Sequence, residues 1–188
     1  MNQSEFITIY AEATPNPDSM KFVVNKMILP NDSVDYRNVE VASNSPLALE
    51  LFKNPIVKGI FIMNNFITLT KSSEAVWPEE IPAIKDFIKN WIESGKEVVN
   101  KNATLSEEEE TEIEKKIKKL LDDHVKPAVE MDGGAISFKS FKDGVVTVVM
   151  KGSCSGCPSS TFTLKAGIEN LLKRMVPEVE AVEAEAGI

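Results

Sequence analysis

Two cysteines occur among the 188 residues, Cys154 and Cys157. They lie in Lys151-Gly152-Ser153-Cys154-Ser155-Gly156-Cys157-Pro158-Ser159-Ser160. A Cys-x-x-Cys pair is suited to three roles. Its thiolates can bind zinc or an iron–sulfur cluster. It can cycle between dithiol and disulfide. It can also be a pair of incidental or structural thiols. Spacing alone leaves all three open.

The residues around the pair favour thiolate. Pro158 fits the first turn of a helix, where its missing N–H costs no bond. That places Cys157 at or beside a helix N-terminus, where the dipole and unpaired N–H groups stabilise negative charge. Gly152 and Gly156 let the backbone bend and leave room for a bulky ligand. Two thiolates still do not complete a site. Tetrahedral zinc takes four ligands, and the common clusters take four cysteines. His124 is the single histidine of the chain and cannot close the gap alone. A symmetric dimer would bring two copies of the motif to one two-fold axis and supply four thiolates. A redox pair of the thioredoxin kind is expected near a βαβ unit, whereas here the motif reads as following a β-hairpin.

The elements that must position these thiols fall into two halves, residues 1–100 and 101–188. The first opens with a strand-like alternation, Phe6 to Tyr10, with Ile7 and Ile9 on one face. Thr14-Pro15-Asn16-Pro17-Asp18 is a turn. Strands are expected at Met20–Val24 and Val39–Ala42. A helix starts at Pro46, before Leu47, Leu49, Leu51 and Phe52. Val57–Met63 and Phe66–Thr70 form a hairpin about Asn64-Asn65. After Pro78 the stripe Ile81, Ile84, Ile88, Trp91 and Ile92 marks a helix face. Lys96–Thr104 reads as a polar linker.

The second half opens with a capping box, Ser106 with Glu109. Its helix buries Ile113, Ile117, Leu120 and Leu121, and Pro127 should kink or end it. Gly133-Gly134 provides the exit. Ile136 and Phe138 lie in one strand and Val145–Met150 in the next, joined at Asp143-Gly144. Leu164, Ile168, Leu171, Leu172 and Met175 mark the helix after the cysteines, and a last strand is expected at Glu178–Ala184. The fold class is therefore α+β in two small domains. The C-terminal one runs helix, strand, strand, helix, strand, with helices on one face of a sheet.

Composition bounds the partners. Apolar residues make up 43% and the formal charge is −8, enough for a core and unfavourable for binding nucleic acid or an anionic membrane. No run reaches the ~20 apolar residues of a membrane span, and no secretory signal or Arg-rich transit pattern opens the chain. Two cysteines are too few for a secreted disulfide scaffold. A cytoplasmic, reducing location is the expectation. No catalytic set is found: there is no Ser–His–Asp arrangement, phosphate loop or paired carboxylate site, so the expectation is a protein that is not an enzyme. His124, at i+4 from Leu120, reads as a histidine at the edge of the apolar face rather than a ligand. Trp91 fits the buried helix face better than a partner surface formed with Trp77. Lys173 and Arg174 suit the end of a helix dipole.

The run from Gly152 to Leu172 (GSCSGCPSSTFTLKAGIENLL) resembles the signature of the NifU-like C-terminal domain of the Nfu family. Val129-Glu130-Met131-Asp132-Gly133-Gly134 resembles that domain's second hallmark, and Thr14–Phe22 resembles the Nfu N-terminal domain. The resemblance covers nearly the full chain. It implies a homodimer that bridges a 4Fe–4S cluster, with 2Fe–2S as the alternative form, through Cys154 and Cys157. Its partners would be apo iron–sulfur proteins and cluster assembly proteins. Ala135 departs from the family's frequent acidic residue and reads as tuning the surface or the strand entry. The assembly scaffold and ferredoxin-like domains of the longest NifU proteins are absent, so the expectation is a carrier. The alternatives are a thiol–disulfide oxidoreductase and a zinc-bridged dimer.

Overall fold

A computed structural model describes residues 6–100, 111–155 and 158–186. The fold is α+β. The chain divides into two compact units, Met1–Ala103 and Thr104–Ile188.

Unit 1 is a five-stranded antiparallel sheet in the order β1-β2-β5-β4-β3. Its strands are β1 (Ile9–Ala13), β2 (Ser19–Val24), β3 (Leu29–Tyr36), β4 (Val57–Asn64) and β5 (Phe66–Lys71). Its helices are α1 (Pro46–Leu51) and α2 (Trp77–Glu93). The core joins one sheet face (Phe22, Val24, Ile60, Ile62, Ile67, Leu69) to Leu47, Ala48 and Leu51 of α1 and Ile84, Ile88 and Ile92 of α2. Each Val, Leu, Ile or Phe side chain among these contributes about 1.5–3 kcal/mol on burial.

The first alternation is right in phase but the paired strand starts later, at Ile9. Asn25 explains the offset. Its side chain accepts from Thr8 N–H at 3.0 Å and donates to the Phe6 carbonyl at 2.8 Å, replacing the ladder there. Val39–Ala42 is a 3₁₀ turn and not the expected strand, because Asn38 accepts from Val41 N–H and caps it. The strand of this region is β3, hidden in the polar sequence LPNDSVDY and bulged between Leu29 and Ser33. Both tryptophans serve packing. Trp77 is buried, stacks edge-on with Phe22 at 6.3 Å and donates to the Pro17 carbonyl. Trp91 packs partly buried against the core and donates to the Glu97 carbonyl.

Unit 2 has a three-stranded sheet, β6 (Gly134–Lys142), β7 (Val145–Gly152) and β8 (Ala181–Ala186), in that order. Helices α3 (Glu112–Leu120), α4 (Lys126–Met131) and α5 (Pro158–Met175) pack on it, and they and their connections supply the rest of its core. Ile136, Val146, Val148, Met150 and Val182 form the sheet side of that core, against Ile117, Leu120, Leu121, Val125, Val129, Ile168 and Leu172. The β6–β7 turn has positive φ at both Asp143 (51°) and Gly144 (78°), as a two-residue hairpin requires.

The capping box of α3 is formed by Thr111 and Glu114. Ser106 and Glu109 lie outside the described residues. Pro127 does not end the helix. A π-helical turn, Leu121–Val125, joins α3 to α4 just before it. A proline removes one N–H and crowds the carbonyl four residues back, and widening the turn relieves both. The wide turn also shifts the apolar register by one residue. Val125 takes the inward place expected of residue 124, and His124 is exposed.

Candidate functional site

The cysteine motif begins where β7 ends. Gly152 closes the strand at φ 69°, Ser153–Ser155 makes one 3₁₀ turn, and α5 starts at Pro158. Strand β8 then returns parallel to β7, with Val146 opposite Val182. The motif thus sits at the strand-to-helix junction of a βαβ unit, and not merely after a hairpin. The short α5–β8 connection and the acid-rich sequence of β8 conceal this from sequence reading. Topology therefore carries no weight against redox chemistry.

Cys154 is held from the other side of the unit. Helix α4 ends at Met131, and Gly133 leaves it at φ 78°. The Ser153 hydroxyl donates to the Asp132 carbonyl, and Ser153 N–H donates to the Gly133 carbonyl at 3.4 Å. These bonds clamp the motif to the glycine pair. Gly134 then opens β6 directly beneath the cysteine. A Cβ there would lie 2.8 Å from Cys154 Sγ and 2.7 Å from the Lys151 carbonyl oxygen. No side chain fits, so the second glycine of the pair is a cradle for Cys154. The glycine pair is thus more than the expected helix exit, and Ser153 has a role that its sequence context does not announce. The only signal in the sequence is the doubling of glycine where a helix exit needs one.

The cradle buries the thiol. Cys154 is 6% exposed and belongs to the core with Met150 and Ile168. Burial pushes its pKa up from the ordinary thiol value, and the Asp132 carboxylate adds to the rise; the Ser153 hydroxyl opposes both. In this conformation the Cys154 thiol is packed in a core, where burial disfavours the thiolate. Cys157 lies outside the described residues. Among the described residues, no three His, Cys, Asp or Glu side chains converge as a metal site, and His124 points to solvent from the π turn. Ala135 is buried at 5% exposure, so its departure from the acidic pattern is a packing choice, not surface tuning. Lys173 is engaged by Glu169 at 2.6 Å. None of the described helices is long and apolar enough to cross a membrane.

Two family models match the chain, the scaffold protein Nfu/NifU N-terminal domain over residues 9–95 and the NifU-like domain over 117–183. The chain belongs to the Nfu family. Within it, this chain is similar to the human NFU1 iron-sulfur cluster scaffold homolog, mitochondrial, at 40% identity over 95% of this chain and 72% of the human protein. It is similar to the scaffold homolog of the same name from Drosophila willistoni, at 41% identity over 93% of this chain and 62% of that protein. NifU-like protein 4, mitochondrial, from Arabidopsis thaliana is 38% identical over 97% of this chain and 68% of that protein. The chain thus spans from just under two thirds to just under three quarters of these relatives. Their names overturn the cytoplasmic expectation, since all three are mitochondrial proteins. The cysteine count asks only for a reducing compartment, and the cytosol is not alone in being one.

Proposed function

We propose that this Nfu-family chain carries an iron–sulfur cluster as cargo, held by Cys154 and Cys157 of two chains, and passes it to apo-proteins. The observation that carries the reading is the cysteine count. A cubane cluster binds four thiolates, and the whole chain contains two. Membership of a family whose relatives are named iron-sulfur cluster scaffolds supports the choice of cluster over zinc. The cargo is a 4Fe–4S cluster; a 2Fe–2S cluster would satisfy the same four thiolates. The role is to bind and release, so no bond-making in a substrate is assigned and the protein acts without enzymatic turnover. In this reading residues 101–188 hold the cluster and residues 1–100 select partners.

Anaerobic reconstitution with iron and sulfide tests the assignment. The native chain should gain the broad visible absorption and Mössbauer parameters of a four-iron cluster. The Cys154→Ala/Cys157→Ala variant should gain neither, and equal loading of that variant would refute the site.

The βαβ setting of the motif favours a second reading, thiol–disulfide exchange. It would give a reversible Cys154–Cys157 disulfide and turnover of a disulfide substrate without metal. The buried Cys154 thiol, with its raised pKa, is a poor attacking group.

A further inference from the structure

Cluster iron needs an accessible thiolate, yet Cys154 Sγ is packed where nothing larger than a hydrogen fits beneath it. Bonds to the glycine pair help to keep it there. Ser153 is 2% exposed and ties the motif turn to the carbonyls of Asp132 and Gly133. Gly134 leaves the space that the thiol fills. A cluster on Cys154 therefore requires Sγ to leave this pocket and come within reach of iron shared with another chain.

We infer that Ser153 and Gly134 are positioning residues that form a latch, holding Cys154 buried in the empty carrier and opening when cargo binds. The inference rests on Cys154 being a cluster ligand. The latch acts by competition. Cluster and core both claim the same sulfur in each of two chains, so the buried state lowers the apparent affinity by the square of the fraction of chains in the open state. A carrier must give up its cargo, and reburial of Cys154 favours that step. Burial also shields the empty thiol from alkylation and oxidation, because reactivity follows exposure as well as thiolate character.

The test is the rate of iodoacetamide alkylation at Cys154 in the full-length cluster-free chain, read by peptide mass spectrometry separately from Cys157. In the native fold Cys154 should react at least about tenfold more slowly than in the urea-unfolded chain. Ser153→Ala removes the hydroxyl's bond to the Asp132 carbonyl and its contact with Cys154 Sγ, and should speed the reaction by between about twofold and tenfold. Gly134→Ala should abolish protection. If that variant does not fold, Ser153→Ala carries the test alone, with its thermal midpoint recorded to exclude general loosening. In equilibrium competition with an iron chelator, Ser153→Ala should hold the cluster more tightly by about the square of the factor by which its alkylation rate rises, because both chains of the pair must open. Native Cys154 reacting as fast as in the unfolded chain overturns the latch. So does a folded Ser153→Ala chain with the native rate. Failure of the cluster assignment would instead appear as loading of the double-cysteine variant, with alkylation protection intact.

Discussion

A methyl group at residue 134 would collide with the Lys151 carbonyl at 2.7 Å, whereas one at residue 167 on α5 meets nothing within 4 Å. The two glycines therefore respond in opposite directions. Gly134→Ala overpacks the junction and should lower stability by about 1–3 kcal/mol. Gly167→Ala removes unfolded-state freedom from a helical position and should raise it by about 0.4–1 kcal/mol. Urea unfolding of both variants checks the pair. At this scale the sequence shows which atoms carry the chemistry, because a Cys-x-x-Cys pair is visible without a fold. It does not show that Cys154 is buried. The cradle comes from a glycine 20 residues upstream, and local pattern holds no record of a contact made through space.

The elements that hold the site are joined by a few polar contacts, and Glu169 on α5 is the clearest. One oxygen accepts from Val182 N–H of β8 at 3.2 Å, and the other from Lys173 at 2.6 Å. The Lys173 hydrogen bond, then the Val182 backbone bond, hold its pKa below the ordinary glutamate value. A carboxylate with a lowered folded pKa stabilises the fold above its unfolded value of about 4.3, and that contribution fades as pH falls through the lower folded value. The stability difference between native chain and Glu169→Gln should therefore be largest near neutrality. It should shrink as pH drops below about 4.3, which pH-dependent unfolding reads directly. A difference that does not change with pH would mean the carboxylate charge is irrelevant here.

Helices and hairpins with strong periodicity were legible at this scale, among them α2, α5 and the β6–β7 hairpin with its Asp143-Gly144 turn. Three features were not. Strand β3 carries Pro30, Asn31, Asp32 and Ser33, residues that read as a loop, and it pairs through a bulge. The π turn before Pro127 continues a helix that proline was expected to bend or stop, and it turns His124 outward. The parallel return of β8 is a long-range pairing that alternation alone does not reveal.

At the scale of the whole chain, two compact units divide the length near residue 103. Each has its own buried core, so loading and delivery should be separable. A chain of residues 104–188 should take up as much iron per dimer as the full chain, and should lose rate only in transfer to an acceptor apo-protein. Equal transfer rates would leave the N-terminal unit without its proposed role. The compartment was misread, because cysteine usage reports redox environment and not address.

The central claim is that one chain supplies half a site. Native mass spectrometry of the anaerobically reconstituted, full-length protein tests it most directly, with each chain weighing 20.8 kDa. The account predicts that iron and sulfide appear only on the species of two chains, as a single four-iron, four-sulfide cluster, while single chains carry none. A cluster of that composition on a single chain would contradict it.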